Sequence, residues 1–175
     1  MTVAVRNARG LATDRAWIES VYREFLDDLS VTQTGLFPAL GEVGHSAADH
    51  VQRWFAERQV QVLTILQVER PAGFAVVAPG DKLQGAPPAD FRMAEFFVSR
   101  AARRLGVGAA AVNLIFDRFP GRWEILEHQR NSAAVGFWRK VVASYTHGKY
   151  EERIVNGDVR QRFSTGSSRS PSGVA

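Results

Sequence analysis

The segment FRMAEFFVSRAARRLGVGAAA, residues 91–111, decides the fold of this 175-residue chain. Its first part, Phe91 to Ser99, is rich in apolar and aromatic residues and predicts a buried strand. An arginine-rich loop with two glycines follows, and a helix is predicted over residues 107–119, which Pro120-Gly121 ends. The first-turn amides of a helix are unpaired, and the helix dipole adds positive charge there. A strand that leads through glycines into a helix therefore predicts an anion-binding loop.

Gly106 and Gly108 have no Cβ atoms that would keep a phosphate away from the backbone. Arg100, Arg103 and Arg104 add positive charge to the same loop. Tight packing of the helix on the strand would also favour glycine here. The chain has no Gly-Lys-Ser or Gly-Lys-Thr of a P-loop, and the hairpin predicted upstream is not the context of a dinucleotide-binding fingerprint. The loop therefore fits a pyrophosphate other than that of ATP or NAD.

Outward from this segment, the spacing of apolar residues predicts the other elements. Thr13 or Asp14 is a candidate N-cap for the first helix and Ser46 for the second. Asn156-Gly157 is a favoured hairpin turn, and turn residues also occur over Glu69–Gly73. Strands are predicted at residues 3–5, 60–68, 74–77, 123–128, 145–155 and 159–163, and helices at 14–29, 46–57 and 133–142.

This order of elements contains no repeat and predicts one α/β (α+β) domain with helices on the faces of a mixed sheet. The composition, with 45% apolar and 23% charged residues, is ordinary for a globular domain.

No stretch approaches the roughly 18 consecutive apolar residues of a membrane span, and residues 1–17 lack the apolar block of a signal peptide. We therefore expect a cytoplasmic protein without a membrane partner. The absence of cysteine excludes disulfides, thiolate metal sites and thiol nucleophiles.

The net charge of +4 comes from the C-terminal part of the chain. Residues 1–138 hold 15 basic and 15 acidic groups, whereas residues 139–175 hold 7 basic and 3 acidic groups. Such a surplus is typical of nucleic-acid-binding proteins and of solvated basic chain ends. No basic run interleaved with aromatic residues occurs, so we do not expect a nucleic-acid partner.

Two motifs resemble those of a known family. Arg103, Gly106 and Gly108 stand at the spacing R/Q-x-x-G-x-G/A, after the strand that contains Met93–Val98. Asn131 begins the run NSAAVGFW, which resembles the motif N-x-x-A-x-x-Φ-Y, where Φ is apolar. Together they resemble the GNAT superfamily of acetyl-CoA-dependent N-acetyltransferases, whose element order matches the predicted one over residues 3–163. The resemblance implies a single GNAT domain over residues 1–165, with a mostly antiparallel sheet of about seven strands and about four helices. We expect the Ser/Gly-rich tail, residues 166–175, to be disordered.

The same resemblance implies acetyl-CoA as the cosubstrate and no metal. The backbone of Val98 would pair with the pantetheine arm, and its N–H would polarise the thioester carbonyl as an oxyanion donor. Asn131 would bind the cofactor arm or, alternatively, cap the helix that it begins. The implied cofactor-binding residues are Phe97, Val98, Arg103, Arg104, Leu105, Gly106, Val107, Gly108, Ala109, Asn131, Phe137 and Trp138.

Acetyl transfer requires that the acceptor ammonium lose a proton, so the site needs a general base. Glu95 is the best candidate in the sequence, because it lies on the strand that would bind the cofactor. Its odd separation from Val98 puts it on the opposite strand face, so we expect a water to bridge it to the amine. Glu124 and His128, on the next strand, are rival bases.

The departing thiolate also gains a proton, and the family's usual acid is a tyrosine seven residues after the motif asparagine. Trp138 stands at that position, and an indole N–H is not an acid at neutral pH. Tyr145 is a candidate substitute acid, and solvent is the other source of the proton.

The acceptor amine is not encoded in a motif. His45 and Asp49 spell H-x-x-x-D, the catalytic string of a larger class of CoA-dependent acyltransferases, but that class has two such domains and this chain is too short. With His50 they would spread over a helix surface, so we expect no metal there. Candidate residues of an acceptor pocket are apolar Leu36, Phe37 and Leu40 with acidic Asp27, Asp28 and Glu42.

The sequence thus predicts an N-acetyltransferase that transfers the acetyl group of acetyl-CoA directly to an amine of a small molecule or a peptide. Without a thiol nucleophile, no covalent enzyme intermediate is expected. The alternative is a catalytically silent acyl-CoA-binding or regulatory module of the same fold, which the tryptophan at position 138 favours. Exposed sheet edges are also compatible with a homodimer.

Overall fold

The computed structural model describes residues 2–31, 47–80 and 87–166. Its strands are β1 Val3–Asn7, β2 Gln61–Gln67, β3 Arg70–Pro79, β4 Phe91–Val98, β5 Gly121–His128, β6 Glu151–Val155 and β7 Asp158–Thr165. They form one open sheet in the order β1-β2-β3-β4-β5-β7-β6. Neighbouring strands are antiparallel except β4 and β5, which are parallel.

Helices cover both faces of this sheet: α1 Ala12–Val31, α2 Ala47–Ala56, α3 Val107–Arg118 and α4 Ser132–Thr146. α1 and α2 pack on β2, β3 and β4 through an aromatic cluster that includes Tyr22, Phe74 and Phe97. α3 and α4 pack on the opposite face around Phe116 and Trp123. The predicted mixed, mostly antiparallel sheet with helices on its faces is confirmed. None of the described helices is long and apolar enough to cross a membrane.

The first helix begins earlier than predicted, at Ala12, so neither Thr13 nor Asp14 is its N-cap. The Asp14 carboxylate instead accepts hydrogen bonds from the Arg6 guanidinium at 2.7 and 2.8 Å and from Thr64 Oγ1 at 2.9 Å. The hydrogen bond from Arg6 is the main reason that the pKa of Asp14 lies below its usual value. Asp14 therefore joins α1 to β1 and β2.

The β2–β3 hairpin turns at Val68 and Glu69, not over Glu69–Gly73 as predicted. Both turn residues have positive φ, 47° and 64°, and the strands continue on either side of them. The other predicted turn residues, Arg70 to Gly73, lie in β3, where an extra residue opposite Ile65 and Leu66 forms a bulge. Proline and glycine occur here because a bulge interrupts the hydrogen-bond ladder of the strand and tolerates both.

Tyr145 lies in the last turn of α4, whereas the sequence placed it at the start of a strand. The helix continues because its C-cap, His147, is the residue that takes the left-handed conformation, with φ 54°. β6 begins at Glu151. The predicted hairpin turn at Asn156-Gly157 is confirmed, with φ of 52° and 85°.

Several predicted features lie outside the described residues. They are the N-cap Ser46, His45 of the H-x-x-x-D string, the pocket residues Leu36, Phe37, Leu40 and Glu42, and the tail after Gly166.

A buried carboxyl group lies between β5 and α4. Glu127 is 7% exposed, and neither of its carboxylate oxygens has a hydrogen-bond partner among the described residues. Gln161 on β7 is fully buried; its Nε2 donates to Glu152 at 2.9 Å, while its Oε1 has no partner. Burial raises the pKa of Glu127 to about 8; Glu152 and Asp158 act in the same direction, and Arg139 opposes them. Glu127 is therefore a neutral acid in the folded protein near pH 7.

The substitution Glu127→Gln is expected to stabilise the protein, and to do so more as pH rises. The folded state holds the Glu127 proton between about pH 4.5 and pH 8, so the free energy of unfolding of the parent falls across this window. Glutamine does not titrate, so the difference in stability should grow by about 1.4 kcal/mol per pH unit within this window. Urea unfolding at pH 5, 7 and 8.5 measures the difference, with exposed Glu151→Gln as the control. A stability difference that does not change with pH contradicts the prediction.

Candidate functional site

The parallel junction of β4 and β5 is two residue pairs long. Phe91 pairs with Trp123 and Arg92 with Glu124, and beyond these pairs the described strands no longer bond to each other. The start of the junction is tied by Asp90, whose N–H donates to the Arg122 carbonyl at 2.8 Å and whose carboxylate accepts the Arg122 N–H at 2.8 Å. The two strands are therefore closed at one end and open at their C-terminal ends.

The open edge of β4 presents backbone groups of Val98 to this gap. In an antiparallel pair the N–H and C=O of one residue point the same way, and successive residues alternate. Ser99 N–H donates to Ala72 O of the β3 side at 2.8 Å, so the Val98 N–H and C=O point away from β3. The Val98 carbonyl accepts a hydrogen bond from Arg103 Nε at 2.8 Å on that open side. The Val98 N–H therefore faces the gap between β4 and β5.

The loop after β4 ends in an uncapped helix N-terminus beside the same gap. Arg104 and Gly106 have positive φ, 60° and 76°, and turn the chain into α3, which begins at Val107 without a side-chain cap. A Cβ atom on Gly108 would lie 3.2 Å from the Phe137 ring and 3.6 Å from a methyl group of Val98. Gly108 therefore permits close packing, and Gly106 the left-handed turn, while the first-turn amides face outward. Of the two roles that the sequence left open, the structure shows the packing role at Gly108, and anion binding stays a prediction.

Two side chains fix the shape of this loop. Glu24 of α1 accepts the Arg100 N–H at 2.9 Å and lies 3.8 Å from the Arg100 guanidinium. Ser99 is the N-cap residue of the short 3₁₀ turn at residues 100–102, but its side chain accepts no hydrogen bond from that turn. The Glu24 carboxylate, from α1, accepts the Arg100 N–H of the turn instead. The Arg103 guanidinium binds the Val98 carbonyl and lies 5.6 Å over the Phe97 ring. Arg103 thus connects the loop to β4 through these two contacts, and it also adds a positive charge to the loop.

The second motif lies at the start of α4. Asn131 Oδ1 accepts the Ala134 N–H at 3.1 Å, so Asn131 caps the helix, which was one of its two predicted roles. Phe137 stacks on Phe96 with ring centres 5.7 Å apart, and it contacts the α3 N-terminus at Gly108. Trp138, which is 7% exposed, packs edge-on against Phe96 at 5.3 Å within the core.

Glu95 lies on the face of β4 opposite the Val98 side chain, three positions along a regular stretch, and a bulge precedes it. Val76 pairs with Glu95 and Val77 with Met93, which leaves Ala94 as an extra residue on β4. Val76 belongs to the aromatic cluster beneath α1, whereas the Val98 side chain lies near α3. The predicted placement of Glu95 opposite Val98 agrees with this register.

The surroundings of Glu95 favour the protonated form of its carboxyl group. Glu95 is half-buried, and no hydrogen bond reaches its carboxylate from residues 2–31, 47–80 or 87–166. Desolvation raises its pKa to about 8, and the charge of Arg92 opposes that shift. Tyr22 of α1 is fully buried, and its hydroxyl has no hydrogen-bond partner in the described part of the chain. Burial, and secondarily Glu95, raises the pKa of Tyr22, so its hydroxyl stays protonated.

The rival bases have structural partners. Glu124 is 2% exposed, and its Oε2 lies 3.4 Å from Arg162 Nε of β7. His128 Nδ1 accepts the Arg130 N–H at 3.2 Å in the turn before α4.

The structure does not bring Tyr145 to the loop. Its hydroxyl donates to Asp117 Oδ1 at 2.6 Å, near the C-terminus of α3. Asp117 lies about 15 Å along the helix axis from Val107, at 1.5 Å per residue. Tyr145 therefore stands at the end of α3 remote from the Val98 N–H.

Glu24 and Tyr22 were not found by sequence analysis. Tyr22 belongs to the apolar stripe of α1, and Glu24 is one of several charged residues on that helix, so neither stands out in a motif. No cluster of His, Asp or Glu side chains that could hold a metal ion occurs among the described residues.

Comparisons with known proteins agree with this geometry. The sequence model of the Acetyltransferase (GNAT) family matches residues 12–142. No curated protein gives a significant sequence match. Among solved structures, a GNAT acetyltransferase from Streptococcus agalactiae is 12% identical, with a TM-score of 0.66 over 93% of this chain and 95% of that one.

Two further structures show the same fold. The PaiA N-acetyltransferase from Thermoplasma acidophilum, in complex with coenzyme A, is 12% identical, with a TM-score of 0.57 over 94% of this chain and 99% of that one. The ribosomal-protein-S18-alanine N-acetyltransferase from Escherichia coli is 10% identical, with a TM-score of 0.57 over 97% of this chain and 98% of that one. Since the family model covers most of the sequence, the chain belongs to the GNAT family of acetyltransferases.

Proposed function

We propose that this protein is an N-acetyltransferase that transfers the acetyl group of acetyl-CoA directly to an amine of a small molecule or a peptide. The observation that carries the proposal is the open edge of β4, where the Val98 N–H faces a gap beside an uncapped helix N-terminus. A gap of this kind suits a ligand with an extended amide-bearing arm and an anionic group. Acetyl-CoA has both.

The residues around the gap fit this cosubstrate. The outward amides of residues 107–109, with exposed Arg104 beside them, would hold the pyrophosphate. The open edge of β4 would pair with the pantetheine amides, as a neighbouring strand does. When bound, acetyl-CoA supplies an acetyl group activated as a thioester.

The Val98 N–H would act on the thioester carbonyl oxygen. A fixed donor aimed at the oxygen where negative charge develops stabilises the transition state, often by about 2.7–4 kcal/mol. β3 holds Val98 in place through the Ser99–Ala72 hydrogen bond, so the donor needs no reorganisation. The chain has no cysteine, which favours direct attack by the amine.

Glu95 would accept the proton of the acceptor amine through a water. Its carboxylate is desolvated, faces α1 and has no hydrogen-bond partner among the described residues, so it is available to a water or an amine. A base with a pKa of about 8 is half ionised near that pH and holds a proton well. The thiolate would take its proton from solvent, because Trp138 offers no acidic proton and Tyr145 is remote.

A catalytically silent acyl-CoA-binding module is the second candidate, and the buried Trp138 is the observation that favours it. The two candidates differ in one measurable property, which is turnover in the presence of an amine.

The proposal predicts that the protein binds acetyl-CoA and releases free CoA when a suitable amine is added. Isothermal titration measures the binding, and a panel of small-molecule and peptide amines followed by a thiol reagent measures the release. Binding without release from any amine would support the silent module. Absence of acetyl-CoA binding would reject both candidates.

A matched pair of glycine variants locates the binding. Gly108→Val should weaken acetyl-CoA binding more than tenfold, because its side chain would overlap Phe137 and distort the first turn of α3. Gly136→Val on α4 is the control, since a Cβ there has no neighbour within 4 Å.

The Glu95→Gln variant should lower kcat by about 100-fold, the usual contribution of a general base. In the parent, kcat should rise with pH up to about 8 and then level, because Glu95 must be ionised to accept a proton. An acceptor amine of low basicity keeps its own titration out of this range. Glu127→Gln is the matched control, since its pKa is also raised to about 8 but it faces α4. If the pH dependence survives in Glu95→Gln and disappears in Glu127→Gln, the assignment of the base is wrong.

Glu24 is expected to be a positioning residue for the anion-binding loop. Glu24→Ala removes the acceptor of the Arg100 N–H and should raise the Kd of acetyl-CoA about fivefold, with kcat at saturation changed less than twofold. Glu24→Gln retains an acceptor oxygen and should bind within twofold of the parent. Glu19→Ala, which breaks an exposed ion pair with Arg15 on the same helix, is the control. Equal Kd values for the parent and Glu24→Ala would refute this role.

A further inference from the structure

Part of the sheet face that carries Glu95 is not covered by a described helix. The aromatic cluster beneath α1 and α2 takes its sheet residues from β2, β3 and β4, and none from β5, β6 or β7. On the uncovered part, side chains of β5, β7 and β6 stand in cross-strand rows, and Leu126 is 40% exposed. This surface lies next to the gap between β4 and β5.

The first cross-strand row is balanced in charge. Arg92 pairs with Glu124, Glu124 with Arg162, and Arg162 with Glu151, so the signs alternate across four strands. The Arg162–Glu124 contact is 3.4 Å. Opposite charges at directly paired positions stabilise a sheet.

The next row lacks this balance. It consists of Leu126, Arg160 and Arg153, and we call it the arginine row. The two guanidinium groups belong to directly opposed residues, an arrangement that is destabilising by itself. Neither has an ion pair or a hydrogen bond to any described residue, although Asp158 and Glu151 lie two positions along their strands. No acidic side chain of the described residues therefore neutralises this row, which leaves it able to bind an anionic ligand.

The arginine row lies at a defined distance from Glu95. Hydrogen-bonded strands are about 4.8 Å apart, and β4 and β5 separate beyond their two-pair junction, so β7 lies at least about 10 Å and β6 at least about 14 Å from β4. An extended peptide advances about 3.3 Å per residue. A peptide with its amine at Glu95 would therefore place about its fourth and fifth residues over Arg160 and Arg153.

We propose that the arginine row binds acidic side chains of a peptide acceptor, so that the protein prefers amines that precede acidic residues. This inference rests on the proposed acetyl transfer to an amine at Glu95. Discrete carboxylates fit better than a nucleic acid, because the exposed Glu151 beside the row would repel a continuous phosphate backbone and Leu126 offers no ring for base stacking. The row also contains two of the seven basic residues that give the C-terminal part of the chain its surplus.

The test uses two peptides with a free amino terminus that differ at positions four and five, where one has glutamates and the other glutamines. The parent protein should acetylate the glutamate peptide with a kcat/KM about tenfold higher, the effect of two exposed ion pairs. The double variant Arg153→Ala/Arg160→Ala should lose this ratio, and Arg153→Glu/Arg160→Glu should reverse it. The control is Arg70→Ala/Lys140→Ala, which removes the same charge from exposed positions elsewhere and should keep the ratio.

The outcomes separate this inference from the proposed function. Equal rates for the two peptides, or a preference that survives in the double variant, would overturn the role of the arginine row while acetyl transfer stands. If no amine is acetylated, the proposed function fails, and fluorescence anisotropy of the labelled glutamate peptide still reports on the surface. Arginine-dependent binding in that assay supports the docking surface. Equal binding of both peptides, or tighter binding of an RNA oligonucleotide of the same length, refutes it.

Discussion

The short junction between β4 and β5 is the constraint on which the site depends. Buried backbone N–H and C=O groups need partners, and β4 has them from β3 along its length but from β5 at two positions. Asp90 fastens the closed end by two hydrogen bonds to Arg122. The gap must therefore open toward Val98, which is also where α3 begins and where its unpaired amides lie. A single feature of strand pairing thus brings the Val98 backbone donor and the uncapped N-terminus of α3 together.

The bulge at Ala94 decides which side chains of β4 point to the α1 face of the sheet and which to the α3 face. In a regular strand Arg92 and Glu95, three positions apart, would point to opposite faces. The extra residue puts both on the α1 side and leaves the Val98 side chain toward α3. Glu127 has a pKa raised to about 8 for the same reason as Glu95, namely burial, but it faces α4. The face of the sheet, rather than the pKa, distinguishes a candidate base from a buried structural acid.

Local signals in the sequence were sufficient for the elements and for the loop at residues 100–108. Apolar residues that alternate along a strand, or that recur at i, i+3 and i+4 along a helix, lie within a few residues of each other. The same is true of the glycines and the proline that bound the helix after the loop. Local signals still misplaced the β2–β3 turn and the end of α4. The other errors arose where a distant residue decides the local role. Asp14 resembles an N-cap, yet Thr64, fifty positions away, and Arg6 bind its carboxylate. Glu24 acts on Arg100 across seventy-six positions, and no spacing rule reveals such a contact.

One helix touches both halves of the site. From α1, Tyr22 lies beneath the sheet in the electrostatic reach of Glu95, and Glu24, two positions on, holds the Arg100 N–H of the anion-binding loop. A helix moves as a rigid body over so short a distance, so a displacement of α1 that alters the surroundings of Glu95 must also act on the loop. In the proposed reaction, an acceptor that shifts α1 would therefore change the affinity for acetyl-CoA, and thermodynamic linkage requires that acetyl-CoA would change the affinity for the acceptor by the same factor. The coupling between the two proposed substrates would in this way be a property of α1 as much as of the gap itself.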